Sequence, residues 1–79
     1  MQSISEILEE MDKVEEGSEV IWNGRKHAQT VVDVSGNSFE VKGNRGGHYK
    51  FFPTGTDGPY FQNLNSGRDY DVDEYLFVR

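Results

Sequence analysis

The spacing of apolar residues changes once along this chain, near Gly17, and that change divides it into two parts. Before it, Ile4, Ile7, Leu8, Met11 and Val14 recur every three or four residues, the period of one helical face. Ser3 and Glu6 stand three apart at the start of this run. They form a capping box, in which each side chain satisfies a backbone N–H of the other. The pattern predicts a helix from Ser3 to about Val14, stopped by Gly17. Three turns of helix are marginal alone in water, so the stripe is expected to pack across an open end of the remainder. A dimer contact through the same stripe is the alternative.

After Gly17 the alternation becomes that of short strands. The organising stretch is Thr30 to Phe52, TVVDVSGNSFEVKGNRGGHYKFF, which reads as three strands and two glycine turns. Gly36 and Asn37 suit a two-residue type II′ turn, which sets Val34 opposite Phe39 and Val32 opposite Val41. Closing the second turn, Gly43 to Gly47, with Lys42 opposite His48 pairs Val41 with Tyr49 and Phe39 with Phe51. Side chains alternate with period two, so Val32, Val34, Phe39, Val41, Tyr49 and Phe51 are expected on one buried face. On the other face Glu40 meets Lys50, a favourable cross-strand pair, and Asp33 meets Glu40, an unfavourable one.

Around this meander, Glu19 to Trp22 reads as a first strand, ended by the turn signal Asn23-Gly24. Pro53 closes the third strand of the meander, and a loop runs to Pro59. Tyr60 to Leu64 is a further short strand, and Asp71 to Tyr75 a single helical turn. Leu76 to Val78 is expected to close the fold against Val20–Trp22. The expectation is one domain over residues 1–79: an amphipathic helix over 1–16 and a small mainly β barrel of five to six antiparallel strands over 17–79.

Charge changes this picture by being uneven. The formal net charge is −6, but residues 1–19 alone carry −6 and residues 69–79 carry −3. Between them, Arg25, Lys26, Lys42, Arg45, Lys50 and Arg68 outnumber Asp33, Glu40 and Asp57. An acidic frame thus brackets a mildly basic middle. It serves solubility, salt adaptation or the shielding of a basic face.

Candidate chemistry is sparse. Asp69, Asp71 and Asp73 begin like a calcium loop, but Glu74 stands where such a loop needs glycine. His27 and His48 have no cysteine to join them, and two ligands do not make a zinc site. The serines lie in turns or at the helix cap, away from any base, so the reading is non-catalytic, without metal or cofactor. No apolar run is long enough to span a membrane, and the acidic N-terminus lacks the basic start of a secretory signal. With no cysteine, the expected compartment is the cytoplasm.

The stretch from Gly17 to Val41 (a glycine, a Val-x-Trp strand, a basic loop, then TVVDVSGNSFEV) resembles the opening strands of SH3-like small barrels of the KOW and Tudor kind. The chain also resembles small haloarchaeal domains, of no assigned activity, that carry a Trp-Asn strand and an Arg-Gly-Gly-x-Tyr hairpin. The resemblance implies a fold more than an activity. The candidate binding residues are Trp22, Arg25, Lys26, Arg45, His48, Lys50, Tyr60, Phe61 and Arg68, with Tyr49 nearby. Cations with interleaved rings suit a protein or peptide groove in a regulatory assembly, or a nucleic-acid groove with phosphate contacts and stacking. A structural domain without a ligand is the third reading. A monomer, or a weak homodimer through the helix, is expected.

Overall fold

The computed structural model of the chain describes residues 2–79. It is a curled antiparallel sheet, a half-barrel, with one helix along its edge. The elements are α1 (Ile4–Met11), β1 (Glu19–Trp22), β2 (Gln29–Ser35), β3 (Ser38–Lys42), β4 (His48–Phe52), β5 (Tyr60–Asn63), β6 (Asp69–Asp71) and β7 (Leu76–Val78). The strands lie in the order β6-β5-β4-β3-β2-β1-β7. Seven strands replace the expected five to six. The additional one is β6, in the segment where the apolar shift suggested the start of a helical turn. Its Tyr60↔Asp71, Phe61↔Tyr70 and Gln62↔Asp69 pairing with β5 takes those residues into the ladder, and no helix follows it.

The meander holds its expected register from β3 onward: Phe39↔Phe51, Glu40↔Lys50, Val41↔Tyr49 and Lys42↔His48. Between β2 and β3 it differs. Val34↔Phe39 and Asp33↔Glu40 pair as read, but a bulge between Val31 and Asp33 sets Val31, not Val32, opposite Val41. A bulge inserts one residue into a strand and reverses which side chain faces inward. Val31 is therefore buried and Val32 is 42% exposed. Val34 is exposed too, because the strand from Val32 onward runs past the rim of the core. Gly36 takes the positive φ that the two-residue turn requires, and Asn37 does not.

The core is built from Val20, Trp22, Val31, Phe39, Val41, Phe51, Phe61 and Leu76, with Tyr49, Val72 and Ile7 at its margins. Its centre is a stack of rings. Phe61 lies parallel to Trp22 at 4.2 Å and edge-on to Phe39 and Phe51, which stack on each other at 4.9 Å. Edge-to-face and offset ring pairs add stability beyond their buried area.

The two ends of the sheet are handled differently. At one end β6 is three residues long and carries two aspartates, features that discourage pairing with another chain. At the other, β7 pairs with β1 through Val20↔Val78, Ile21↔Phe77 and Trp22↔Leu76 as expected, leaving two N–H groups facing outward. The Leu76 N–H donates to Gln2 Oε1 at 2.7 Å, and the Val78 N–H donates to Glu10 Oε1 at 3.1 Å. The helical segment thus covers a sheet edge with side-chain acceptors, and its Leu8 and Met11 border Asn37, Pro53 and Thr54 at the end of the sheet that carries the β2–β3 turn. Its apolar anchor is Ile7, with Met11 and Val14 partly buried beside it, while Ile4, expected in the docked stripe, is 55% exposed.

The capping box forms as read, with the Ser3 N–H donating to Glu6 Oε1 and the Glu6 N–H to the Ser3 hydroxyl. The Ser3 N–H, aided by its hydroxyl, holds the Glu6 carboxyl below its ordinary 4.5. The Lys13 ammonium does the same for Glu10, opposed by partial desolvation and helped by the Val78 N–H. Both carboxyls bind protons less readily folded than unfolded. Their stabilisation is therefore complete above about pH 4.5 and lost as the pH falls through the lowered folded values. A Glu6→Gln/Glu10→Gln variant is expected to melt below the wild type at neutral pH and to converge with it under acid. A gap that stays constant from about pH 7 to pH 3 would contradict this account.

Candidate functional site

Three cations named from the sequence come together. Arg25 and Lys26, on the β1–β2 loop, and Arg45, on the β3–β4 turn, line one open cleft of about 470 Å³ with His27, Gln29 and Tyr49. No carboxylate lines it among the described residues.

Each wall has a local cause. Asn23 and Gly24 both take positive φ, so the chain reverses tightly after Trp22 and the Arg25 N–H donates back to the Trp22 carbonyl at 3.2 Å. Asn23 also ties this turn to the segment after β6. Its Nδ2 donates to the Asp71 carbonyl at 2.6 Å, its Oδ1 accepts from the Glu74 N–H at 3.1 Å, and its own N–H reaches the Tyr75 carbonyl. The opposite wall is the β3–β4 turn, closed by the Gly43 N–H to the Gly47 carbonyl at 2.9 Å. Asn65 Nδ2 donates to the Gly46 carbonyl, bracing that turn from the β5–β6 connection.

Arg25 is held by rings. Its guanidinium carbon stands 4.1 Å from the Trp22 centroid, 5.0 Å from Tyr49 and 5.7 Å from Tyr70. Phe61 already covers Trp22 at 4.2 Å, and two groups so close cannot share one face of an indole, so Trp22 is layered between Phe61 and Arg25. Cation–π contacts of this kind contribute roughly 0.5–2 kcal/mol and fix the guanidinium without neutralising it. Arg25, Lys26 and Arg45 make no ion pair with a described residue; the pairs present are Lys13–Glu10, His48–Glu40 and Arg79–Glu19.

The other sequence-named residues are not in this cleft. Trp22 and Phe61 are core residues, 1% and 0% exposed, so neither offers a ring to a ligand. Large aromatics on inward-facing strand positions are drawn into the core of so small a sheet. His48, Lys50 and Tyr60 lie on the outer face of the sheet, a different surface. There His48 Nε2 contacts Glu40 Oε1 at 2.7 Å, taking the partner expected for Lys50. Lys50 instead lies 5.4 Å from the Phe52 ring, which stacks on Tyr60 at 5.0 Å. Arg68 is exposed at the end of the β5–β6 turn and does not line the cleft. Trp22, Tyr49, Tyr60 and Phe61 form no exposed strip, since Trp22, Tyr49 and Phe61 are buried.

The acidic C-terminal segment lies close to Arg25. Arg25 borders a second cleft, lined by Asp69, Asp71 and Asp73 together with Asn23 and Tyr70. Among the described residues no group of three or more His, Cys, Asp or Glu is placed to hold a metal ion. No helix there is long and apolar enough to cross a membrane.

Sequence reading missed Gln29. It begins β2 as an inward-facing residue, 7% exposed, and its Oε1 accepts from the Trp22 indole N–H at 2.8 Å. A glutamine at the parity of Val31 was the only signal for it.

The fold and cleft define a small antiparallel half-barrel with a cleft, between the β1–β2 loop and the β3–β4 turn, that is lined by Arg25, Lys26 and Arg45 and by no carboxylate among the described residues. No family model matches the chain, and neither a curated protein nor a solved structure matches it significantly.

Proposed function

We propose that this protein is a non-catalytic binding module, a small SH3-like barrel, that takes an acidic segment of a protein partner in the cleft between the β1–β2 loop and the β3–β4 turn. The observation that carries this reading is the convergence of Arg25, Lys26 and Arg45, from two separate elements, on a cleft without a carboxylate. Positive groups left unpaired and preorganised favour an anionic ligand.

Two features favour a peptide over a nucleic acid. Trp22 and Phe61 are core residues, and Tyr49, the one ring lining the cleft, is only 9% exposed, so the cleft offers little stacking surface beside its cations. Asp69, Asp71 and Asp73 lie just beyond Arg25, so a continuous polyanion leaving the cleft on that side would meet like charge. A short acidic stretch, ending before that boundary, meets none.

The test is fluorescence anisotropy with a labelled oligoglutamate peptide and, separately, a labelled oligothymidylate. Oligoglutamate is expected to bind at low salt and to weaken as salt rises. Lys26→Ala/Arg45→Ala should lower its affinity by roughly tenfold or more, two charge-assisted contacts being lost. Lys50→Ala, on the outer face, should leave it unchanged. Tighter binding of oligothymidylate would replace this reading with the nucleic-acid one. Equal affinity for the wild type and the Lys26/Arg45 variant would remove the cleft as the ligand site.

A further inference from the structure

Beneath the cations the cleft has a floor, and its chemistry is set by a hydrogen bond inside the core. An indole N–H can only donate, so Trp22 Nε1 obliges Gln29 to turn its carbonyl oxygen inward. The other half of the carboxamide, Nε2 with two N–H donors, diverges from that oxygen and lies toward Gly43 and Gly47. It hydrogen-bonds to no described residue, yet no fully buried side-chain polar atom lacks a partner. Nε2 is therefore open to the cleft that Gln29 lines.

Its position follows from the glycines of the facing turn. A Cβ at Gly43 would lie 3.4 Å from Gln29 Nε2, and one at Gly47 would lie 3.9 Å from it. The amide thus looks out through a gap that two absent side chains leave. An oriented donor on a residue more than nine-tenths buried, at the base of a cleft rimmed by cations, calls for a ligand that only accepts.

We propose that this floor is a carboxylate subsite: Gln29 Nε2 donates to a carboxylate oxygen of the bound acidic segment, while Arg25, Lys26 and Arg45 neutralise the charge at the rim. This rests on the cleft reading above and adds which group of the ligand penetrates deepest. A carboxylate suits the site better than a phosphate. It carries one charge and two coplanar acceptors, matched by one neutral amide at the floor. A phosphate brings three outer oxygens and up to two charges, and the floor offers those only a neutral donor.

The only tryptophan in the chain reports on the floor, since its indole N–H holds the other end of the same carboxamide. Nitrogen-15 correlation spectra, recorded while oligoglutamate is titrated into the full chain, are expected to shift the Gln29 side-chain amide and the Trp22 indole signals together. Gly43→Ala places a methyl against Nε2 at ordinary contact distance, and Gly43 has no left-handed φ to strain. It should fold normally and lose roughly tenfold in oligoglutamate affinity, one hydrogen bond to a charged acceptor being blocked. Gln29→Glu, which turns the outward donor into an acceptor, should abolish binding.

If Gly43→Ala binds like the wild type while Lys26→Ala/Arg45→Ala does not, the cleft stands and the floor subsite falls. Unchanged affinity in all of these variants would remove both. Inorganic phosphate shifting the same two signals at lower concentration than the peptide carboxylates would overturn the carboxylate assignment.

Discussion

Phe61→Ala is expected to cost roughly 3–5 kcal/mol, the range for truncating a fully buried phenylalanine. Phe61 is 0% exposed and touches the rings of Trp22, Phe39 and Phe51 at once, so no neighbour can close the space without breaking another stack. The loss also removes the support beneath Trp22, and with it the platform that holds Arg25. A chain of 79 residues buries a modest fraction of its surface, and its stability lies toward the low end of about 5–15 kcal/mol. The variant should thus be largely unfolded at ambient temperature by circular dichroism and urea titration. A cost under about 1 kcal/mol would mean that the aromatic stack is not the centre of the fold.

Ile7→Ala carries the second large effect, roughly 2–5 kcal/mol by the same measure, because Ile7 is the one helix residue buried completely. Eight helical residues do not persist in water without a partner surface. Loosening α1 should also release its acceptors from the β7 edge. Amide exchange at Leu76 and Val78, whose N–H groups face the helical segment, is then expected to accelerate more than at Phe77, whose N–H faces β1. Uniform acceleration along β7 would indicate that the variant loses the whole sheet rather than the edge cover. An exposed β7 edge also invites strand addition, so self-association should be followed by sedimentation.

The second half of the meander was readable because each of its signals is local. Two turns with fixed glycines and one parity of large side chains leave a single register for Phe39, Val41, Tyr49 and Phe51. The first half was not. Val31, Val32 and Val34 occupy both parities, so apolar alternation alone does not choose between Val31 and Val32 for the inward position. The bulge chooses, and nothing in the residues themselves demands one. Similarly, Asp69–Asp71 carries little strand propensity and becomes β6 because β5 presents it with an unpaired edge.

The candidate site divides the same way. Arg25, Lys26 and Arg45 were identifiable as cations in loops, and the tertiary structure brought them to one cleft. His48, Lys50 and Tyr60 were equally plausible by composition, yet strand alternation carried them to the outer face. Trp22 and Phe61 were drawn inward because burying a large ring gains more than presenting it. What the amino-acid sequence determined was the chemistry of short stretches: a capped amphipathic helix, the glycine turns, β3 and β4 in register and a basic middle between acidic ends. Which parity of β2 faces the core, what covers the β7 edge, which cations converge and where the Gln29 amide points were decided only by the folded sheet. Each of those depends on groups far apart in the chain, and local spacing holds no information about distances that exist only after the sheet has curled.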